Sequence, residues 1–255
     1  MRKYGKYFTV EVKPTIAAAY QHAEAYGNQD VLFDWTPFKV PNGGNRLVGL
    51  TMMYSGKGAA DNAPCEILFA RTTTGGGDIA AGTAPTTLGN SNAAAFAVTN
   101  NPSFRQIVGG LQILDNDFFH TKLNVASTQV ATTNNHGIVL DGYGSSTEDL
   151  DDSEGMYTYY IGAISTGTPD FTSAVNINTG QTGENDIAVN GADPTIQFAP
   201  GDILHDEDNA LIGTVGTVTT STNILLEGDT TCGTCTNNKK VYNINPITIR
   251  MSFER

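Results

Sequence analysis

The stretch Asn243-Ile244-Asn245-Pro246-Ile247-Thr248-Ile249-Arg250-Met251-Ser252-Phe253 decides the fold class. From Ile247 onward apolar and polar residues alternate strictly, so Ile247, Ile249, Met251 and Phe253 share one face of an extended strand. A strand with one apolar face belongs to a sheet packed on one side. Its position near the C-terminus predicts that it closes the main sheet.

The same signature recurs upstream, as short alternating or apolar runs bounded by Gly, Pro, Asn and Asp. It is found at Phe8 to Val12, Val31 to Trp35, Arg46 to Tyr54, Glu66 to Arg71, Arg105 to Leu114, Phe118 to Val125 and Gly137 to Leu140. It continues at Tyr157 to Ile164, Thr195 to Phe198, Ile212 to Val218 and Asn223 to Leu226. So many short strands predict an all-β chain, an antiparallel β-sandwich of jelly-roll type. Phe33, Trp35, Leu50, Phe69 and Ile249 are its expected inward positions. The one helical candidate is Thr15 to Ala25, ended by Gly27 and Asn28; an irregular lead-in segment fits the same residues.

Three or four strands with tight turns in Pro194 to Glu227 predict a small β-barrel-like insertion near the C-terminus. The expected organisation is a docking arm with the first strand over 1–14, a main sandwich over 15–193 with 241–255, and the insertion over 194–240. Thr72 to Asn101 and Ser165 to Asp193 read as long surface loops ordered by neighbouring surfaces, which favours an assembly context.

Only 16% of the 255 residues are charged, and Gly, Thr, Asn, Ser and Ala favour pleated strands and turns over helices. The net charge of −12 argues against nucleic acid as a partner, since neutralising phosphates needs clustered Lys and Arg. No apolar stretch is long enough for a membrane-spanning helix, so no membrane partner is expected. The basic start Met1 to Tyr7 runs into Glu11, Lys13 and Pro14 without the apolar run of a signal peptide, so the chain is expected to stay where it is made. Three cysteines, Cys65, Cys232 and Cys235, do not form the dense even set of a disulfide-stapled secreted domain.

No constellation announces catalysis, a cofactor or a metal, and the chain reads as a non-enzyme. His22, His120, His136 and His205 stand apart from one another and from the cysteines. Cys232-Gly233-Thr234-Cys235 has redox or zinc-knuckle spacing but lacks a second pair and a following helix, and reads as a loop pair. A reversible disulfide, or a metal shared at a subunit symmetry axis, is the functional alternative. The acidic run Glu148, Asp149, Asp151, Asp152 and Glu154 reads as a solvated loop and lacks the spacing of a calcium-binding loop. Asp202, Asp206, Glu207, Asp208 and Asn209 read as turn formers, with calcium again the alternative. Nothing marks one carboxylate pair for glycoside hydrolysis. Tyr143-Gly144-Ser145-Ser146-Thr147 lacks the second glycine of a nucleophile elbow, and Gly75-Gly76-Gly77 and Gly109-Gly110 lack the Lys-Ser/Thr end of a phosphate loop.

The N-terminal arm is the candidate binding element. Arg2, Lys3, Tyr4, Lys6, Tyr7 and Phe8 gather positive charge and aromatic surface in an otherwise acidic chain, a composition suited to docking on a neighbouring acidic subunit. A frayed terminus is the alternative reading.

Phe198-Ala199-Pro200-Gly201-Asp202-Ile203-Leu204, Asn209-Ala210-Leu211-Ile212-Gly213-Thr214-Val215 and Asn223-Ile224-Leu225-Leu226 resemble small β modules of tailed-bacteriophage head proteins. With the Thr/Asn/Gly-rich, cysteine-poor style of the whole, the chain looks like a virion structural protein of the capsid decoration or cement type. That resemblance implies a homo-oligomer binding capsid or neighbouring virion subunits, located in the virion and made in the host cytoplasm. A major capsid or tail-associated protein is the first alternative. A carbohydrate-binding or carbohydrate-cleaving β-sandwich is the second.

Overall fold

A computed structural model describes residues 6–41, 43–55, 63–72, 84–93, 106–118, 128–134, 137–141, 150–151, 156–228 and 231–255. Eighteen strands are found among them: β1 (Tyr7–Val12), β2 (Val31–Pro41), β3 (Gly44–Ser55), β4 (Cys65–Arg71), β5 (Ile107–Ile113), β6 (Thr128–Asn134), β7 (Val139–Asp141), β8 (Leu150–Asp151) and β9 (Met156–Ser165), then β10 (Val175–Ile177), β11 (Gln181–Thr182), β12 (Asp186–Gly191), β13 (Ile203–Asp206), β14 (Leu211–Thr220), β15 (Asn223–Leu226), β16 (Thr234–Cys235), β17 (Val241–Asn243) and β18 (Ile247–Glu254). Two short helices, α1 (Ala18–Ala23) and α2 (Pro194–Gln197), interrupt them.

The main body is a sandwich of two antiparallel sheets in the orders β1-β18-β3-β6 and β2-β9-β4-β5, with β7 added to β3 and β8 to β9. The chain alternates between the sheets so that the last strand lies between the first and the third. This is the arrangement of an eight-stranded jelly roll. The terminal alternation behaves as its pattern predicts: Ile247, Ile249, Met251 and Phe253 are all buried, in one core with Leu50, Met52 and Tyr54 of β3 and Ile67, Phe69, Phe38, Tyr159 and Ile161 of the opposite sheet.

Phe33, Leu50, Phe69 and Ile249 are buried as expected, whereas Trp35 is only half-buried. The reason is register. β2 shifts against β9 between Val31 and Phe33 and again between Phe33 and Thr36. An extra residue reverses which parity points inward, so Phe33 faces the core, Phe38 and Val40 follow at even positions, and Trp35 turns to the outer face. There its indole Nε1 donates to Thr86 O at 2.9 Å, and Asp34 accepts from Thr87 Oγ1 at 2.6 Å and Leu88 N at 2.7 Å. Residues 84–93 are thereby strapped over the sheet. Gly162 of β9 makes room for the strap, since a Cβ there would lie 2.6 Å from Leu88 Cδ1 and 2.9 Å from Trp35 Cε3.

The insertion lies between β9 and β18. Its six strands run in the order β10-β12-β15-β14-β13-β17, and a bridge between Asn176 and Lys240 joins the two outermost. Ile177 N donates to Lys239 O at 2.8 Å and Asn238 N to Ile177 O at 2.9 Å. The sheet is therefore a nearly closed barrel, around a second core of Val175, Ile187, Val189, Leu204, Ile212 and Ile224. Its strands come from both sides of Asp193, because the expected loop Ser165 to Asp193 contains β10, β11 and β12: Val175/Ile177 and Ile187/Val189 fill the barrel. The strand expected at Thr195 to Phe198 is instead α2. Asp193 Oδ1 accepts from Thr195 N at 2.9 Å and Pro194 occupies the first turn, a capping arrangement that starts a helix. The expected helix Thr15 to Ala25 shortens to the six residues of α1. Most of the strand expected at Phe118 to Val125 falls outside the described residues, as does most of the expected loop Thr72 to Asn101.

Two substitutions test this packing. Phe253→Ala removes a fully buried ring between β1 and β3 and is expected to lower stability by about 3–5 kcal/mol in urea unfolding. Gly162→Ala, small as it is, forces Leu88 and Trp35 off β9 and is expected to lose about 1–3 kcal/mol, with a change in tryptophan fluorescence that Phe253→Ala does not produce.

Candidate functional site

Of the predicted arm, Arg2, Lys3 and Tyr4 lie outside the described residues, Lys6 immediately precedes β1, and Tyr7 and Phe8 begin it. Among the described residues β1 pairs only with β18, in the register Tyr7–Glu254 through Val12–Ile249, and ends the sheet. Arg255 N donates to Lys6 O at 2.8 Å. Because directly opposed residues in an antiparallel ladder alternate between exchanging and not exchanging hydrogen bonds, Phe8, Val10 and Val12 bond to β18. The N–H and C=O groups of Tyr7, Thr9 and Glu11 point away from the sheet, and all three side chains are exposed.

The two faces of β1 differ. Inward, Phe8 stacks on Phe253 with ring centroids 5.1 Å apart, and Phe8 and Val10 pack against the core while remaining half-exposed. Phe8 is thus turned from solvent toward the sandwich. Outward, Lys6 Nζ lies 2.9 Å from Glu254 Oε1 and 5.2 Å from the centre of the Tyr7 ring, and Arg250 Nε donates to Glu11 Oε2 at 2.8 Å. The hydrogen bond from Lys6 holds the Glu254 carboxyl below its usual range, and the same contact raises Lys6. Tyr7 is 62% exposed.

A second cluster joins the jelly roll to the barrel. Ala18 N donates to Asn209 Oδ1 at 3.1 Å. Gln21 Nε2 donates to Ile16 O and Asn243 O, both at 2.8 Å. His22 Nδ1 lies 2.9 Å from Tyr242 Oη, and its Nε2 is 3.8 Å from Glu207 Oε2. Lys239 Nζ donates to Glu207 Oε1 at 2.8 Å and sits 2.9 Å from Asp208 Oδ2. Burial pushes the Glu207 carboxyl up, but the bonds from Lys239 Nζ and Lys240 N outweigh it and leave the group below its usual range.

Of the acidic patch, Asp206 to Asn209 form the turn that follows β13, as their composition predicts, whereas Asp202 precedes that strand and accepts from Ala199 N at 2.9 Å. Asp206 Oδ1 accepts from Asp208 N at 3.0 Å and Ala210 N at 2.8 Å, and Asn209 is left-handed at φ 68°. Through Glu207, which faces His22, and Asn209, which accepts from Ala18 N, the turn also clamps α1 to the barrel, a role that spacing along the chain could not announce. A small recess beside the clamp is lined by Gln21, Gln197, Phe198 and Tyr242. Its amide donors are already engaged, since Gln197 Nε2 bonds Ser173 Oγ at 2.8 Å.

Cys232 and Cys235 are both buried in the barrel core, which removes them from any surface where a symmetry axis could share a metal. Burial, followed by the Cys232 side chain, pushes the Cys235 thiol up to about 12. A thiol so placed is a poor nucleophile. His205 Nδ1 lies 2.9 Å from Asn209 O in the turn. His120, His136 and the side chains of Glu148, Asp149, Asp151, Asp152 and Glu154 lie outside the description. Among the described residues no three His, Cys, Asp or Glu side chains come together to hold a metal ion, and no helix is long and apolar enough to cross a membrane. No family model, curated protein or solved structure matches the chain.

The clamp makes a pH prediction. Glu207 is depressed in the folded state, so its contribution to stability is complete above the ordinary glutamate value near ~4.3 and disappears as pH falls through the lower folded value. Glu207→Gln is expected to melt lower than the wild type at pH 7, with the gap narrowing steadily below about pH 4. A gap independent of pH would contradict the ionic clamp.

Proposed function

We propose that this protein is a non-enzymatic structural subunit of a virion that assembles with copies of itself into or onto a capsid. The observation that carries the reading is the jelly-roll order of the two sheets, an architecture used in viral shells as well as in lectins and cupins. Fold alone leaves those uses open, and the exposed strand edge supports the shell reading among them. What the described surface offers is a regular strand edge with free backbone groups, an exposed tyrosine and paired charges, which is chemistry for joining proteins. The order favours a shell subunit over a decoration protein. The acidic body keeps the free subunit soluble, while the basic segment around Arg2, Lys3 and Lys6 supplies complementary charge to the next subunit. The partners are further copies and neighbouring virion subunits, and the location is the virion, assembled from protein made in the host cytoplasm.

Purified full-length protein, followed by light scattering and electron microscopy across a concentration series, is expected to form defined oligomers or closed particles. Screening of the basic charges on Arg2, Lys3 and Lys6 is expected to make this assembly weaker at 1 M than at 0.1 M salt, where screening lengths are about 3 and 10 Å. A chain that stays monomeric at every concentration and salt would rule the reading out.

A further inference from the structure

Among the described residues, Cys232 and Cys235 form a pair of nucleophilic side chains that the assembly reading leaves unused. Both are free thiols packed into the barrel core, and the Cys235 thiol makes a hydrogen bond with the Cys232 side chain. Cys65 supplies a contrast within the same chain. It is equally buried, in the jelly-roll core, but its thiol meets Met52 Sδ at 3.9 Å. A cysteine that serves only as a small apolar side chain needs no second thiol beside it. The pair is brought together by a bend in which Gly233 and Thr234 face solvent while the cysteines on either side of them point inward. Backbone bonds hold that bend: Cys232 N donates to Glu184 O at 2.8 Å and Gly183 N to Cys232 O at 2.9 Å. β16 then pairs with β11, Cys235 opposite Gln181 and Thr234 opposite Thr182. This ribbon is shallow, with Thr182, Gly183, Glu184, Gly233 and Thr234 all exposed, so it can open locally while the barrel core stays closed.

We propose that Cys232 and Cys235 close to an intramolecular disulfide when a small-molecule disulfide such as oxidised glutathione acts as the oxidant, and that the bond locks the bend leading into the barrel seam. The inference stands on the barrel alone and is independent of the assembly reading. The chemistry balances as two exchanges. One cysteine loses its proton and attacks the oxidant; the S–S bond of the oxidant breaks, and one small thiol leaves as a thiolate that takes up the proton. The second cysteine attacks the mixed disulfide in the same way and expels the other small thiol. Two protons and two electrons thus pass from the pair to the oxidant, which becomes two thiols. Contact between the cysteines favours the second step, because the resolving thiol already lies beside the sulfur it attacks. Burial pushes the Cys235 thiol up to about 12, so the closed barrel protects the pair and exchange runs through the opened ribbon. The same cover afterwards shields the bond from reducing thiols. What the bond fixes is the approach to the seam. Cys235 leads into the turn at Thr236 to Lys239, where Lys239 N donates to Thr236 O at 3.3 Å, and Asn238 N and Lys239 O bond to Ile177 across the barrel opening. Lys239 also carries the cation of the clamp.

The test equilibrates the full-length chain with reduced and oxidised glutathione, up to the oxidised form alone, starting both from reduced native protein and from protein refolded in the mixture. Intact mass and peptide mapping follow acid quenching. The wild type is expected to lose about 2 Da, the two hydrogens given up, to retain no glutathione, and to link Cys232 to Cys235 while Cys65 stays free. Cys65→Ser is expected to oxidise in the same way. Cys235→Ser lacks the resolving thiol and is expected to keep a glutathione on Cys232. In the oxidised wild type, amide exchange at Gly183, Cys232 and Asn238 is expected to slow at least about tenfold relative to the reduced protein. A pair that stays reduced from both starting points, a glutathione that remains on the wild type, a bond to Cys65, or amides indifferent to oxidation overturns the inference. If Cys235→Ser fails to fold, the masses and exchange rates of the wild type and Cys65→Ser decide on their own.

Discussion

The position of β18 between β1 and β3 is the constraint on which the rest of the jelly roll depends. Residues 247–254 pair on one side with residues 7–12 and on the other with residues 46–54, so the first sheet is complete only when the ends of the chain meet. Ion pairs reinforce that meeting at its surface, Lys6 with Glu254 and Arg250 with Glu11. The stacked rings of Phe8 and Phe253 reinforce it below. Such pairing joins residues nearly the whole chain apart, and its loop-closure entropy must be overcome before the contacts reward it. The barrel lies within that loop as a unit with its own core, which shortens the effective search for β18.

The two halves of the molecule treat their edges in opposite ways. The barrel brings β10 and β17 together through Asn176 and Lys240 and leaves its backbone groups bonded to each other. The sandwich is open by construction, since two layered sheets always have ends. Between the two, α1 and the β13–β14 turn are held by Glu207, Lys239, His22 and Tyr242, and Asn245 Nδ2 adds bonds to Lys13 O and Pro14 O. The residues leading from β1 are therefore tied to those leading into β18.

Legibility of the fold from sequence followed the contrast of its alternation. Ile247 to Phe253 and Tyr157 to Ile164 are buried strongly on one face and read correctly, and so did the turn chemistry of Asp206 and Asn209. Trp35 was misplaced because a bulge is a tertiary event: nothing in Phe33-Asp34-Trp35-Thr36 says that an extra residue will reverse the parity. β10 to β12 were missed because two-residue alternation such as Val175-Asn176-Ile177 is too short to stand out among Gly, Thr and Asn. α2 was signalled by Asp193-Pro194-Thr195, but the apolar residues after it read as a strand. At the site, the composition of the arm pointed to Lys6 and Tyr7. Which of its backbone groups are free depends on the pairing phase with β18, and only the folded register supplies that. His22 gave no sign of its role because Tyr242 and Glu207 reach it from more than 180 residues away.

Amide hydrogen exchange, compared between free and assembled protein, reads that phase one residue at a time. The free subunit should protect the amides of Phe8 and Val10, bonded to β18, and exchange those of Tyr7, Thr9 and Glu11 rapidly. Assembly should then slow the exchange of Tyr7, Thr9 and Glu11 while leaving Phe8 and Val10 as they were. Rapid exchange at Thr9 in the assembled protein would contradict the account, because it would leave the free edge of β1 outside the contact.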